Sequence, residues 1–172
     1  ASYLLMGGFC IFYKNWYTDF KLIDFIFWLL IENRGPMKTT KSFGNHSKYS
    51  LHDARVQKIE YADDNLIFTF DYIFSYENGV EQTHKAQVMF ETCDIDFFEI
   101  LVFNNTILDT FTGKRIELSQ YQQEYSDSEF EVITETYNWG HAVFQGWLWT
   151  EGNPVHCIMN IYFKGDMIYV VE

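Results

Sequence analysis

Apolar and polar residues alternate from Leu66 to Ser75: Leu66, Phe68, Phe70, Tyr72 and Phe74 fall in one phase, Ile67, Thr69, Asp71, Ile73 and Ser75 in the other. A period of two sends successive side chains to opposite faces, so this stretch predicts a strand with one face buried. Two turn lengths compete at Tyr76–Val80. A two-residue Asn78-Gly79 loop would set Phe70 opposite Gln87 and Phe68 opposite Met89. A three-residue Glu77-Asn78-Gly79 loop sets Leu66 opposite Phe90, Phe68 opposite Val88 and Phe70 opposite Ala86. A slip of one residue moves every side chain to the other face, so the apolar pattern selects the three-residue loop. Gly79 then takes a positive φ, which costs glycine no Cβ clash.

The same logic reads the turn before it. A four-residue Ala62–Asn65 loop pairs Tyr61 with Leu66 and Ile59 with Phe68, apolar to apolar. Val56 falls out of phase with Ile59, which predicts a bulge near Gln57-Lys58. Three antiparallel strands follow, over 54–61, 66–76 and 80–91.

Further on, the continuous apolar run 97–103 reads as a central strand buried on both faces, with Glu99 reaching an edge. Ile116 and Leu118 suit a short strand. Ser119 and Gln122 have capping-box spacing for a helix through about Tyr125. From Glu129 the chain is a meander with strands near 129–137, 141–150, 155–163 and 167–171, punctuated by Asn138-Trp139-Gly140, Glu151–Pro154 and Lys164-Gly165-Asp166. About eight strands and one short helix predict a mainly β fold, an antiparallel meander forming a barrel or a sandwich. A chain of 172 residues buries enough surface to fold without metal or disulfides.

Residues 1–36 differ in character. They are crowded with aromatic and aliphatic side chains without a clear period, and they lack the basic start and small-residue cleavage site of a signal peptide. The apolar run Phe25–Ile31 is far shorter than the roughly 20 residues of a membrane span. Met37 opens a polar stretch, and Asn33-Arg34-Gly35 can be encoded by AAY-AGG-GGN, a purine-rich run at ribosome-binding distance. The expectation is that residues 1–36 are translated upstream sequence and that residues 37–172 form a single antiparallel β domain. An atypical N-terminal helix over Phe20–Ile31 and a membrane anchor are the alternatives.

Charge narrows the partners. The formal net charge is −12 and the pI near 4.7. Residues 37–172 hold 21 acidic and nine basic side chains, the full excess. Such a surface repels nucleic-acid phosphates and anionic membranes and favours a basic protein. Cys10, Cys93 and Cys157 show no paired spacing, which points to buried thiols in a reducing, cytoplasmic setting.

Candidate chemistry is sparse. His52-Asp53 reads as a turn capped by Asp53 or Ser50 rather than a ligand pair, and His84, His141 and His156 have no partner at ligand spacing. No phosphate loop, nucleophile elbow or HExxH is present, and no cofactor is implied. Glu129, Glu131 and Glu135 share one phase and read as a solvated face. Trp147 and Trp149 share a strand face that could floor an apolar or sugar-binding cavity, or belong to the core. Trp139 sits at a turn tip, where an exposed ring can anchor a partner.

Leu51-His52-Asp53, Ile59-Glu60-Tyr61, Leu66-x-Phe68-x-Phe70 and the closing Gly165–Tyr169 resemble small, acidic, β-rich proteins of low-GC Gram-positive bacteria. Some proteins of that general kind are immunity proteins that neutralise a toxin. The resemblance implies that role and carries no site residues across. The expected function is a non-enzymatic cytoplasmic interaction domain, an immunity protein for a basic toxin in its specific form. The alternative is a small-ligand-binding β-barrel using the tryptophans.

Removing residues 1–36 is expected to leave a cooperatively folding domain with an unchanged thermal transition by circular dichroism; loss of that transition would place the segment in the core.

Overall fold

The computed structural model describes residues 35–41, 48–104 and 112–172. The expectations for the N-terminal segment fall mostly on residues 1–34, outside the described residues. Pro36–Glu172 form one compact unit.

The central hairpins are β3 (Arg55–Ala62), β4 (Asn65–Glu77) and β5 (Val80–Phe90). Their registers are those expected: Tyr61 faces Leu66, Ile59 faces Phe68, Phe68 faces Val88 and Phe70 faces Ala86. The predicted bulge also forms, with Gln57 as the extra residue between Val56 and Lys58.

The turns differ from expectation. Both are two-residue loops, Asp63-Asp64 at φ 52° and 60° and Asn78-Gly79 at φ 53° and 77°. Two left-handed residues match the twist of the flanking strands, and Asp and Asn tolerate that region better than most side chains. The second loop keeps the predicted pairing because β4 carries its own bulge. Ile73 pairs with His84 and Phe70 with Ala86, so Asp71 and Tyr72 together oppose a single residue. The Asp71 carboxylate accepts from the Tyr72 backbone N–H at 2.7 Å and from that of Arg55 at 3.3 Å, satisfying donors at the irregularity. The inward set is therefore Leu66, Phe68, Phe70, Ile73 and Ser75, while Tyr72 and Phe74, expected in that set, turn outward.

The remaining strands are β1 (Met37–Thr40), β2 (Tyr49–Ser50), β6 (Glu99–Phe103), β7 (Gly113–Ile116), β8 (Glu129–Asn138), β9 (His141–Trp149), β10 (Val155–Tyr162) and β11 (Met167–Val171). One path runs β1-β11-β5-β4-β3-β8-β9-β10-β6-β7, antiparallel throughout, with β2 on the distal half of β4. The path ends at β1 and β7, so the sheet is open and not a closed barrel. β6 is a next-to-last strand rather than a central one, buried mainly through Ile100, Val102 and Phe103. A single α-helix among the described residues, α1 (Leu118–Glu124), buries Leu118 and Tyr121. Ser119 lies inside it and Glu117 holds the cap position without a side-chain bond, so the expected capping box does not form.

The sheet curls tightly enough to bury its own inner face. Phe68 on β4 meets Phe144 on β9 at 5.9 Å between ring centroids, and also Phe90 and Phe98 at 5.7 and 6.2 Å. Among the described residues these rings pack against one another across the inner face.

A third bulge, at Ile133 in β8, carries the largest correction. Val132 pairs with Gly146 and Thr134 with Gln145, so Glu135 and Tyr137 end opposite the inward Phe144 and Ala142. Glu135 therefore leaves the face of Glu129 and Glu131. Gly146 permits this, since a Cβ there would lie 1.8 Å from the Glu131 carbonyl oxygen.

These positions predict two different costs. Gly79→Ala meets no atom within 4 Å and loses only its backbone preference, about 1 kcal/mol. Gly146→Ala must displace the bulged backbone and is expected to lose about 3 kcal/mol. Urea denaturation of the two variants checks the ordering; equal losses would contradict it.

Candidate functional site

Four segments distant in sequence meet at one corner: the β3–β4 turn, the stretch from Glu91 to Phe97, the β8–β9 turn and the β10–β11 connection. Backbone hydrogen bonds fasten them. Cys93 N–H donates to the Asp64 carbonyl at 2.7 Å, Phe163 N–H to Gly140 at 2.9 Å, Gly165 N–H to Glu91 at 3.0 Å and Lys164 N–H to Thr92 at 3.2 Å. Cys93 and Phe163 also form an antiparallel bridge. The Tyr61 hydroxyl reaches the Cys93 carbonyl at 3.0 Å and the Asp64 carboxylate at 3.3 Å. Main-chain bonds thus carry most of the fastening, and the Glu91 carboxylate adds to it by accepting from the Asp166 N–H at 3.2 Å.

The side chains at the corner are of two kinds. Asp63, Asp64, Glu91, Asp94, Asp96 and Asp166 supply carboxylates, against Lys164 and Arg115, whose guanidinium donates to the Asp96 carbonyl at 3.4 Å. Between them lies an open depression of about 600 Å³, whose lining includes Phe97, Tyr162, Phe163 and Asp94. Phe97 is 61% exposed and Tyr162 43%. Trp139, 83% exposed, immediately precedes Gly140 on the same rim. Three exposed rings thus share this corner with carboxylates.

The other tryptophans lie elsewhere. Trp147 and Trp149 share a face of β9, as expected, but it is the outer face; Ala142, Phe144 and Leu148 point inward. They belong to a cross-strand row in which Arg55 opposes Glu131, Glu131 opposes Trp147 and Trp147 opposes His156. The Trp149 indole N–H donates to Glu131 at 2.6 Å, Arg55 pairs with Glu129 at 3.1 Å and its guanidinium lies 5.3 Å from the Trp149 ring. Phe103 stacks on His156 at 5.3 Å. Matched pairs of this kind brace the outer face.

Inside, Glu135 gathers a polar nest. It accepts from the Ser50 hydroxyl and the Leu51 backbone N–H, both at 3.2 Å, and from the Tyr137 hydroxyl at 2.6 Å. The Lys41 ammonium sits 3.5 Å from the Tyr137 ring centroid; burial lowers its pKa from the ordinary value and Glu135 opposes the shift. The Tyr49 hydroxyl is buried without a hydrogen-bond partner.

Ser50, not Asp53, caps the His52 turn, accepting from the His52 N–H at 3.2 Å. His84 bonds Ser75 at 2.8 Å and His141 stacks on Tyr162 at 4.2 Å. Among the described residues no group of three or more His, Cys, Asp and Glu side chains could hold a metal ion. No helix among them is long and apolar enough to cross a membrane.

Of the corner's rings, sequence reasoning singled out Trp139 alone. Tyr162 was signalled by its phase, opposite to Cys157, Met159, Ile161 and Phe163. Phe97 was hidden because its neighbours read as one continuous strand, whereas Ile95–Phe97 form a 3₁₀ turn that presents it outward. Comparison of the chain with protein-family models, characterised proteins and solved structures found no match.

Cys93 lies beneath the corner and Cys157 in the core, both buried and free. Burial pushes the Cys93 thiol up to about 11 and the Cys157 thiol higher still. A thiol protonated more tightly in the folded state stabilises the fold below its unfolded value and loses that contribution as pH rises through the folded one. Stability is therefore expected to fall as pH climbs from about 9 toward 11. Peptide-resolved alkylation at pH 8 should spare both residues in the native protein and label them in urea; rapid native labelling of Cys93 would contradict this.

Proposed function

We propose that the chain is a non-enzymatic cytoplasmic interaction domain that captures a basic protein at this corner, in its specific form a toxin held inactive by binding. The observation that carries the reading is the joining of three exposed rings with a surround of carboxylates on a protein of net charge −12. Carboxylates steer a cationic partner into encounter, and desolvated rings set how long it stays. The outward placement of Trp147 and Trp149 on β9 supports this reading over a ligand-binding barrel that uses those rings.

The two contributions separate experimentally. With a captured partner on a sensor surface, raising salt from about 0.05 to 0.5 M should slow association steeply and change dissociation little, since screening lengths shrink toward a few ångströms. Trp139→Ala should instead speed dissociation by about 30-fold, the loss of roughly 2 kcal/mol typical of an aromatic anchor. A captured protein that is not basic, or an affinity indifferent to both changes, would overturn the proposal. So would a small apolar or sugar-like molecule that stays bound through purification while no protein partner binds at any salt.

A further inference from the structure

We infer that β3 offers an open strand edge beside which the basic partner lays an extended segment as an added strand; this rests on the interaction reading above and names the form of binding. β8 pairs with β3 only at Arg55 and Val56. Beyond them, among the described residues, no main-chain bond reaches the side of β3 turned away from β4. The two-residue Asp63-Asp64 loop closes on Ala62 and Asn65, so Ala62, Glu60 and Lys58 turn their N–H and C=O groups to β4. Tyr61 and Ile59 alternate with them and turn theirs the other way. The Ile59 carbonyl accordingly accepts from the Gln122 side-chain amide, across the edge, at 2.8 Å. The Ile59 N–H and both Tyr61 groups complete an edge on which a strand can be added.

The helix α1 stands off from this edge by the length of the Gln122 side chain. Between them lies a depression of about 280 Å³, lined by Ile59, Tyr121 and Tyr125, the two tyrosine rings 5.6 Å apart. That is below the roughly 300–1,000 Å³ of small-molecule pockets and suits a side chain carried in on a strand. Residues opposite Ile59 and Tyr61 on an added strand share their face, so apolar side chains at alternate positions point toward those rings. Charge selects what flanks them. Lys58 is matched by Glu60 at 2.8 Å and Glu124 by Lys114 at 2.6 Å. Asp127, between the groove residues Ser126 and Ser128, marks one end, and Asp63-Asp64 the other. Those three carboxylates have no ion pair among the described residues. Cationic residues are therefore favoured at both ends of the segment, and a second copy of this chain, at net charge −12, is repelled. The Asp63-Asp64 turn belongs to the corner, so a partner held there reaches the edge directly.

The test titrates the full chain at low salt with acetyl-Lys-Lys-Val-Thr-Val-Lys-Lys-amide and two N-methylated forms of it, with binding read by NMR. Methylating both valine nitrogens removes the donors that face Ile59 and Tyr61; methylating the threonine nitrogen removes one that faces away. All three peptides carry the same charge, so general electrostatics cancel. The parent and the threonine-methylated peptide should bind alike, and the valine-methylated one about 10-fold more weakly. The Ile59 and Tyr61 amides should shift most and gain protection from hydrogen exchange. Gln122→Ala should tighten the parent peptide about threefold, since nothing then has to leave the Ile59 carbonyl. The decisive change lies in the peptide, so the comparison does not depend on a variant that folds. Equal binding of the three peptides, largest shifts elsewhere, or a Gln122→Ala affinity that is unchanged or lower would overturn the added strand. Concentration-dependent shifts of β3 without peptide would show that a second copy fills the edge, and would overturn it as well. If the added strand fails while a basic protein is still captured through Trp139, the interaction reading stands. If the strand forms and no basic protein is captured, the edge stands and that reading falls.

Discussion

The contact between Phe68 and Phe144 is the constraint to which the rest of the fold answers. Their strands, β4 and β9, are separated in the sheet by β3 and β8. In a flat sheet three strand spacings would hold them about 14 Å apart. Their rings meet at 5.9 Å, so the sheet must bend sharply across β3 and β8. Flat strands resist such bending, and an added residue on one strand is the usual way to produce it. The three bulges fall on β4, β3 and β8, the adjoining strands that have to bend.

The bulges also explain why some of the fold was legible in the sequence and some was not. The pairing of Phe70 with Ala86 was readable because apolar residues on both strands demand a common face. The turn was misjudged from the same fact: a three-residue loop with no bulge and a two-residue loop with a bulge at Asp71-Tyr72 give the same pairing beyond the bulge. Alternation cannot tell them apart, because Tyr72, Ile73 and Phe74 are apolar in either phase. At Gln57 the slip was visible, since Val56 and Ile59 are apolar with polar residues between them. At Ile133 it was hidden, because Glu129, Glu131 and Glu135 look like one solvated row until a bulge turns the last of them inward.

The corner was less legible for a different reason. No local stretch encodes it. Asp63-Asp64, Glu91–Phe97, Trp139-Gly140 and Tyr162–Asp166 come together only after the sheet curls and Cys93 bridges Phe163. Overall acidity was readable from composition, and it pointed to a cationic partner. The carboxylates at this one corner repel each other, at a cost that main-chain bonds between the segments offset without neutralising the charge. The field toward solvent is therefore kept.

Curl and surface are one problem on β8. Between Ile133 and the strand's end lie Glu135 and Tyr137, turned inward by the bulge, and after them the turn that carries Trp139. Without the extra residue the pairing would slip by one, Tyr137 would leave Ala142, and Glu135 would lose Ser50 and Leu51. The inward carboxylate is costly to bury, and its three donors with Lys41 beside it make the placement tolerable. A polar nest that is satisfied in one register and unsatisfied in the next penalises the slipped state more than an apolar pair would. The register it enforces sets Asn138 opposite His141 and His141 opposite Tyr162. That fixes the stacked pair of His141 and Tyr162 at the corner. Glu135, itself away from the corner, thus helps hold the geometry on which the corner depends.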